Sequence, residues 1–152
     1  MQSNLKIENA SLADIPALTA LLDSLFAIEV DFSADTEKQT LGLQMIIENP
    51  KHAIIKIARN DENKVIGMVS AQLVISTAQG SYSAWIEDMV VAEGFRGRGL
   101  GRRLLDEAIN WAKEKGASRA QLLVDMENEP AIGYYQHLGW ENTQLQARKI
   151  FF

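Results

Sequence analysis

Residues 93–105, EGFRGRGLGRRLL, crowd glycines and arginines between an apolar run typical of a strand and an apolar run typical of a helix. Glycines let the backbone bend so that successive N–H groups point into one concavity, and a helix that begins immediately afterwards adds the positive end of its dipole. Such a turn binds anions, and phosphate in particular. The stretch therefore predicts a phosphate-binding turn between a strand and a helix.

Two familiar phosphate-binding patterns do not fit this turn. A nucleoside triphosphatase loop needs G-x-x-x-x-G-K-[ST], and no Lys-Ser or Lys-Thr pair follows Gly97 or Gly99. A dinucleotide-binding fold needs G-x-G-x-x-G/A, but Arg102 or Leu104 occupies the sixth place in the two possible registers. An arginine-glycine tract for RNA is disfavoured because the copy is single and short, a helix pattern follows it, and the chain is acidic.

The pattern that does fit is R-x-x-G-x-G, placed between elements that alternation and helical spacing predict along the whole chain. Three consecutive strands before the turn are expected to form an antiparallel meander. The expected order is a strand near 5–10, a helix from Ser11, a helix at about 35–48, strands near 52–59, 65–75 and 84–91, a helix that Gly116 stops, a buried strand near 119–125, a short helix capped by Asn128, and an extended segment at 140–152.

Composition narrows the class of protein. At 152 residues the chain is expected to form one domain, residues 1–152, and it has no cysteine and only two histidines, which argues against thiol chemistry and metal catalysis. The net charge of −5 argues against nucleic-acid binding. The charge is unevenly distributed: residues 1–94 contain 6 Lys and Arg and 13 Asp and Glu, whereas residues 95–152 contain 9 Lys and Arg and 7 Asp and Glu. Without a leader pattern or a membrane-length apolar run, we expect a cytoplasmic protein with no membrane partner.

A second motif decides between the remaining possibilities. NEPAIGYYQHLGW, residues 128–140, contains N-x-x-A-x-x-x-Y-x-x-x-G-[FW], with Asn128, Ala131 and Tyr135 as its first three members. Together with R-x-x-G-x-G, in this order and joined by a helix and a strand, the chain resembles the GNAT superfamily of acyl-CoA-dependent N-acetyltransferases. Trp140 departs from the commoner Phe, and the N-terminal helices match nothing that would name a substrate.

The resemblance implies a fold and a cofactor site. The implied fold is α/β (α+β), a GNAT-type mixed and mostly antiparallel twisted sheet of six to seven strands flanked by about four helices. Acetyl-CoA would be the acyl donor, with its pyrophosphate on the backbone N–H groups of the glycine turn, its pantetheine arm paired like an added strand with the strand before the turn, and no metal involved. The implied cofactor-binding residues are Met89, Val90, Val91, Arg96, Gly97, Arg98, Gly99, Leu100, Gly101, Arg102 and Asn128.

Acetyl transfer to an amine needs an unprotonated nitrogen, a donor for the developing oxyanion and a proton for the departing thiolate. A lysine-like amine is neutral only about once in 2,500 molecules at pH 7, so a base helps. Period-two alternation predicts Glu87 on one face with Trp85, Met89 and Val91, and the strand resembles family strands whose glutamate is the base. Glu87 is therefore the expected base, with Asp88 second.

Two further assignments follow from the resemblance. Tyr135 matches the tyrosine that protonates the coenzyme A thiolate, and the neighbouring Tyr134 is then expected to pack. The oxyanion donor is expected to be a backbone N–H near Met89 to Val91, because that run offers no amide or hydroxyl side chain.

Three functions stay open at this point. Acetylation of a small cationic amine is favoured because Glu29, Asp31, Asp35 and Glu87 could form an acidic cleft. A protein or peptide N-acetyltransferase would need an open groove, and a regulatory CoA-binding module without catalysis would have lost its acid or base. A homodimer through the apolar end KIFF and a buried last strand are equal expectations for that segment.

Overall fold

The structure, a computed structural model, describes residues 5–27 and 35–152. These residues form one five-stranded sheet in the order β1-β2-β3-β4-β5, with four α-helices around it. The strands are β1 Lys6–Asn9, β2 Ala53–Arg59, β3 Val65–Ser76, β4 Ser81–Val91 and β5 Ala117–Leu122. The helices are α1 Ile15–Phe26, α2 Thr36–Ile47, α3 Leu100–Glu114 and α4 Glu129–His137.

Neighbouring strands are antiparallel from β1 to β4, which confirms the expected meander, and β5 runs parallel to β4. A parallel neighbour needs a crossover, and α3 supplies it between β4 and β5. A short 3₁₀ turn at Leu12–Asp14 precedes α1, where the N–H and the hydroxyl of Ser11 donate to Asp14. Ser11 caps this 3₁₀ turn as the sequence predicted, but the α-helix itself begins at Ile15 rather than directly after Ser11.

Two apolar clusters hold the helices against opposite faces of the sheet. We call the side covered by α1 and α2 the front face, where Met68 and Val90 pack among the helix leucines. The side covered by α3 is the back face, where Ile66, Val69 and Ile86 are buried. Burying a side chain of this size stabilises the fold by roughly 1.5–3 kcal/mol, so the two clusters fix which way each strand faces.

Helix α3 forms because its apolar residues recur at helical spacing. Its buried stripe consists of Leu100, Leu104, Leu105, Ala108, Trp111 and Ala112, as the sequence predicted. Gly116 follows the helix with φ of +97°, a left-handed conformation that glycine adopts without strain. The glycine turn at residues 97–99 directly precedes this helix, which is anchored to the back face.

The sheet differs from its prediction in number and length of strands. The described residues contain five strands rather than six to seven. Residues 141–152 were expected to be extended, but no ladder partner holds them, and Leu145, Ile150 and Phe151 are exposed. Strand β4 begins at Ser81 rather than 84, and β5 ends at Leu122 with its side chains half-buried, so the expected buried strand is an edge strand.

Every helix within residues 5–27 and 35–152 is too short or too polar to cross a lipid bilayer. Glu29 and Asp31, two residues of the expected acidic cleft, lie outside the described residues.

Candidate active site

An opening between β4 and β5 is the central feature of the site. The two strands pair from Tyr82 to Ile86 on β4, where Ile86 meets Leu122, the last residue of β5. Strand β4 continues to Val91, paired only with β3 among the described strands. Residues 87–91 therefore border a gap on the β5 side, where the backbone of a strand can pair with an extended ligand. The three residues expected to meet the pantetheine arm, Met89 to Val91, lie at this gap.

A β-bulge lies beside the opening, and it changes which side chains of β4 share a face. Glu87 is opposite Ser70 and Val90 is opposite Met68, so Asp88 and Met89 together face the single residue between them on β3. Asp88 has φ of +55°, which is uncommon for a residue with a side chain.

The bulge reverses the alternation that the sequence suggested. Met89 and Val91 pack against the back-face cluster, whereas Val90 is buried in the front-face cluster. Glu87 is paired with Ser70 one residue beyond the Val69 of the back face, so it shares the front face with Trp85. The prediction that Glu87 lies on one face with Met89 and Val91 was wrong, because the extra residue shifts the period by one.

The glycine turn has the conformation that an anion-binding loop needs. Gly97 and Gly99 have φ of +78° and +77°, and a Cβ atom on either would meet nothing within 4 Å. They are required for backbone conformation rather than for space. Gly99 precedes α3 and has no side chain with which to cap it, so the first N–H groups of the helix remain for an external acceptor.

The arginines of the turn have different positions. Arg96 donates from Nε to the carbonyl oxygen of Val91 at 2.9 Å, so its side chain ties the turn to the end of β4. The Arg98 guanidinium lies 5.8 Å from the ring centre of Phe95. Arg102 is exposed in the first turn of α3, where a cation opposes the helix dipole unless an anion is bound. Arg98 and Arg102 are thus the side chains free to reach a phosphate, and Arg96 shapes the turn.

Gly101 marks the point where three elements meet. A Cβ atom there would lie 2.7 Å from Cε of Met89 and 3.3 Å from the hydroxyl oxygen of Tyr134. Strand β4, helix α3 and helix α4 therefore converge beside the opening. Leu100, by contrast, is 2% exposed in the back-face cluster, so only its backbone can serve a ligand.

The two tyrosines of α4 are in different surroundings. Tyr135 packs against the back-face cluster and makes edge-to-face contacts with Tyr134 at 5.4 Å and with Trp140 at 6.0 Å between ring centres. Burial raises the pKa of Tyr134, nearby Arg102 lowers it and Asp106 raises it, with a net increase. Tyr134 therefore keeps its proton at neutral pH and presents a hydroxyl beside the start of α3.

Asn128 caps α4, since its side-chain oxygen accepts from the N–H of Ala131 at 3.2 Å. The capping role predicted from the sequence is confirmed, and the cap holds α4 where its tyrosines approach α3 and the core.

Glu87 is exposed on the front face and accepts a hydrogen bond from the indole N–H of Trp85. This contact holds the carboxylate beside the opening. The sequence analysis assigned no role to Trp85. The available signal was its position two residues before Glu87 on a strand, which places both side chains on one face. The position of the Tyr134 hydroxyl had no such signal, because it depends on how α4 docks against α3.

Comparison with known proteins identifies the family. The model of the acetyltransferase (GNAT) family matches residues 17–140. The chain therefore belongs to the GNAT family of acetyltransferases, as the two motifs indicated.

The chain is similar to acetyltransferases that are named for different substrates. The chain is 46% identical over 72 residues to the streptothricin acetyltransferase of Streptomyces lavendulae, covering 44% of this chain and 38% of that protein. It is 24% identical over 144 residues to the aminoalkylphosphonate N-acetyltransferase of Salmonella typhimurium, covering 95% of this chain and 90% of that protein. The matched region thus spans little more than a third of the first relative's length and nearly all of the second.

Solved structures share the fold. A possible acetyltransferase from Clostridium difficile 630 superposes with a TM-score of 0.84 at 16% identity, covering 97% of both chains. An aminoglycoside N-acetyltransferase in complex with CoA superposes with a TM-score of 0.81 at 21% identity, covering 100% of this chain and 95% of that one. These likenesses show that the fold is shared.

Proposed function

We propose that this chain transfers the acetyl group of acetyl-CoA to a primary amine of a small cationic molecule. The observation that carries the proposal is the gap between β4 and β5, which runs from the exposed carboxylate of Glu87 to the glycine turn before α3. A thioester placed there has an anion site for its phosphates at one end and a base at the other.

Residues around the gap fit the pantetheine and phosphate parts of acetyl-CoA. Positive φ at Gly97 and Gly99 turns the loop so that the first N–H groups of α3 face outward, and exposed Arg98 and Arg102 add positive charge. Met89 to Val91 offer backbone groups on the side that β5 leaves open. Backbone N–H groups in this run are also the proposed donors to the oxyanion of the tetrahedral intermediate.

Glu87 is the proposed base, acting on the ammonium group of the acceptor directly or through water. Its exposure on the front face, across the strand from Met89, lets an acceptor approach from the side opposite to α3. Tyr135 is the proposed acid for the thiolate, by its place in the motif. The small-molecule acceptor is supported by the relatives named for streptothricin and aminoalkylphosphonate acetylation and by the aminoglycoside enzyme among the structures.

The test is a screen of amines with acetyl-CoA, in which released coenzyme A is detected by a thiol reagent. Because the chain has no cysteine, the protein itself gives no background in this assay. We expect turnover with one class of small amines and much less with Glu87→Gln. Binding of acetyl-CoA without turnover of any small amine, combined with turnover of a peptide N-terminus, would move the function to protein acetylation.

A further inference from the structure

A second pocket lies on the front face, at the end of the sheet remote from the glycine turn. Its volume is about 310 Å³, and it is formed by the end of β3, the turn to β4, and the starts of β4 and β5. The side chains that bear on its chemistry are Ser76, Ser83, Trp85, Arg119 and Gln121.

Arg119 supplies the charge of this pocket. Its Nε donates to the hydroxyl oxygen of Ser83 at 3.2 Å, and one terminal nitrogen donates to that of Ser76 at 3.3 Å. Both serines are buried, at 4% and 7% exposure, so they hold the guanidinium in one place. A guanidinium has five N–H donors, and these two bonds leave three for a ligand.

Within the part of the chain that the structure describes, no carboxylate forms an ion pair with Arg119. Among residues 5–27 and 35–152, ion pairs are formed by Lys6 and Arg59 with Glu8 and Asp14, and none involves Arg119. Hydroxyl groups orient a cation but do not balance it. A half-buried, oriented and unbalanced guanidinium is suited to a carboxylate or a phosphate-type group, which it can bind with two parallel hydrogen bonds.

Trp85 links this pocket to the proposed catalytic carboxylate of Glu87. Arg119 is in register with Ser83, and Gln121 with Trp85, so these side chains share the front face. Trp85 lines the pocket and also donates its indole N–H to Glu87. Glu87 is four residue steps along the strand from Ser83, which corresponds to about 13 Å between their Cα atoms. One elongated molecule could therefore contact Glu87, the Trp85 ring and Arg119 together.

We propose that Arg119 binds an anionic group of the acceptor, so that the substrate class is an elongated molecule with a primary amine at one end and an acidic group on the order of 10 Å away. This inference rests on the proposed acetyl transfer, and it refines the acceptor from a simple cation to an amphoteric amine. The amine lies at Glu87, the chain of the substrate lies along Trp85, and the acidic group lies in the Arg119 pocket. Arg119 is remote from the reacting atoms and therefore determines specificity rather than rate.

The experiment compares ω-amino carboxylates of increasing chain length with the methyl esters of the same compounds. We expect kcat/KM to reach a maximum at an intermediate length for the carboxylates and to be lower for the matching ester by roughly 10- to 100-fold, as for a charge-assisted hydrogen bond. In Arg119→Gln this advantage disappears through a rise in KM with little change in kcat. Arg119→Lys, which keeps the charge but not the fork, is expected to retain part of it.

Arg148→Gln is the matched control, since that arginine is exposed in the C-terminal segment. It removes the same charge and is expected to leave the preference for carboxylates unchanged. Thermal unfolding of each variant shows whether Arg119 also stabilises the strand ends. A purely structural role would not raise KM selectively for the carboxylates.

Equal turnover of carboxylates and esters, or a preference that survives Arg119→Gln, would overturn the assignment of Arg119 and leave acetyl transfer intact. If no amine is acetylated, the proposed function fails, and calorimetry of the same amino carboxylates then decides the pocket separately. Binding that is lost in Arg119→Gln supports it, and binding that is absent or unchanged overturns it.

Discussion

Glu87 is held on the front face of β4 by the indole of Trp85, beside the opening between β4 and β5. A base at this place matters most when the amine is protonated, because removing the proton from a lysine-like amine costs about 4.6 kcal/mol at pH 7. We expect Glu87→Gln to keep its affinity for acetyl-CoA and to lower turnover at neutral pH by about 10²- to 10⁴-fold. Turnover should recover as the pH rises, because the amine then loses its proton unaided.

The measurement is a pH profile of kcat/KM for wild type and Glu87→Gln. Glu107→Gln, which changes an exposed glutamate of α3, is the control for charge. A variant profile that coincides with that of the wild type would transfer the role to Asp88 or to bulk water.

The tyrosine pair of α4 permits a second test at single residues. Tyr135→Phe keeps the ring that packs against Trp140 and removes only the hydroxyl, so acetyl-CoA affinity should hold while turnover falls by about 10²-fold. Tyr134→Phe is the matched change, and stopped-time assays of coenzyme A release compare the two. If Tyr134→Phe alone slows turnover, the hydroxyl beside Gly101 is the acid; if neither does, the proton comes from water.

For single residues, the sequence predicted which residue types form the site better than it predicted which way their side chains point. The cap at Asn128 could be predicted, because a helix start is a local pattern. The face of Glu87 could not, since Glu87 and Met89 look equivalent in a period-two pattern and only the pairing with β3 reveals the extra residue between them. The position of the Tyr134 hydroxyl beside Gly101 could not be predicted either, because it depends on how α4 packs against α3.

The glycine turn and α3 form the proposed anion-binding element, and substitutions at Gly99 and Gly101 are expected to weaken binding for different reasons. Gly99→Val places a branched side chain at φ of +77°, which distorts the turn. Gly101→Val drives a side chain into Met89 and the Tyr134 hydroxyl. Each change should weaken acetyl-CoA binding by roughly 10- to 100-fold, the loss of about one charge-assisted N–H bond.

Calorimetry with acetyl-CoA measures this loss, and thermal unfolding distinguishes it from a general loss of structure. Gly42→Ala on α2 is the control, because its new Cβ meets nothing within 4 Å and alanine favours a helix. Unchanged affinity in Gly101→Val would show that the phosphates bind elsewhere.

The elements themselves were largely predictable, because amphipathic spacing and turn residues are local signals. The four helices and the meander before the glycine turn are confirmed. The expectation of a buried final strand was wrong, since an apolar pattern shows only that residues could form a strand, whereas the equal expectation of a homodimer through KIFF stays a prediction. A strand also needs a neighbour, and in the described residues 141–152 lie without one.

Across the molecule, Arg59 joins the first strand to the meander. Its guanidinium donates to Glu8 on β1 and to Asp14 before α1. Burial raises the pKa of Asp14, but hydrogen bonds from Ser11 and Arg59 outweigh burial, and the net pKa lies below its ordinary value of 3.8. A lowered pKa in the folded state gives stability that is present above the unfolded value and is lost as the pH falls through the folded one.

We therefore expect Asp14→Asn to reduce the free energy of unfolding at pH 7 by about 1–3 kcal/mol, because one partner of a half-buried ion pair is removed. The difference from wild type should begin to shrink as the pH falls below about 4, the ordinary range of an unfolded carboxyl, and should vanish only below the lowered pKa of the folded state, where the wild-type carboxyl is also protonated. Urea unfolding between pH 7 and pH 3 measures it, with Asp61→Asn in the exposed turn as control. A difference that stays constant over this range would assign the loss to packing instead of charge.

The bulge in β4 makes this strand one residue longer than the hydrophobic core requires. Without Asp88, the pairs of Glu87 with Ser70 and Val90 with Met68 would be bridged by a regular ladder, and every buried side chain would keep its present face. Asp88 therefore lies in the stretch of β4 that borders the opening, and packing of the core does not require it. Removing Asp88 would straighten β4 beside the opening, so the bulge is expected to matter for ligand binding along residues 87–91 rather than for packing of the core.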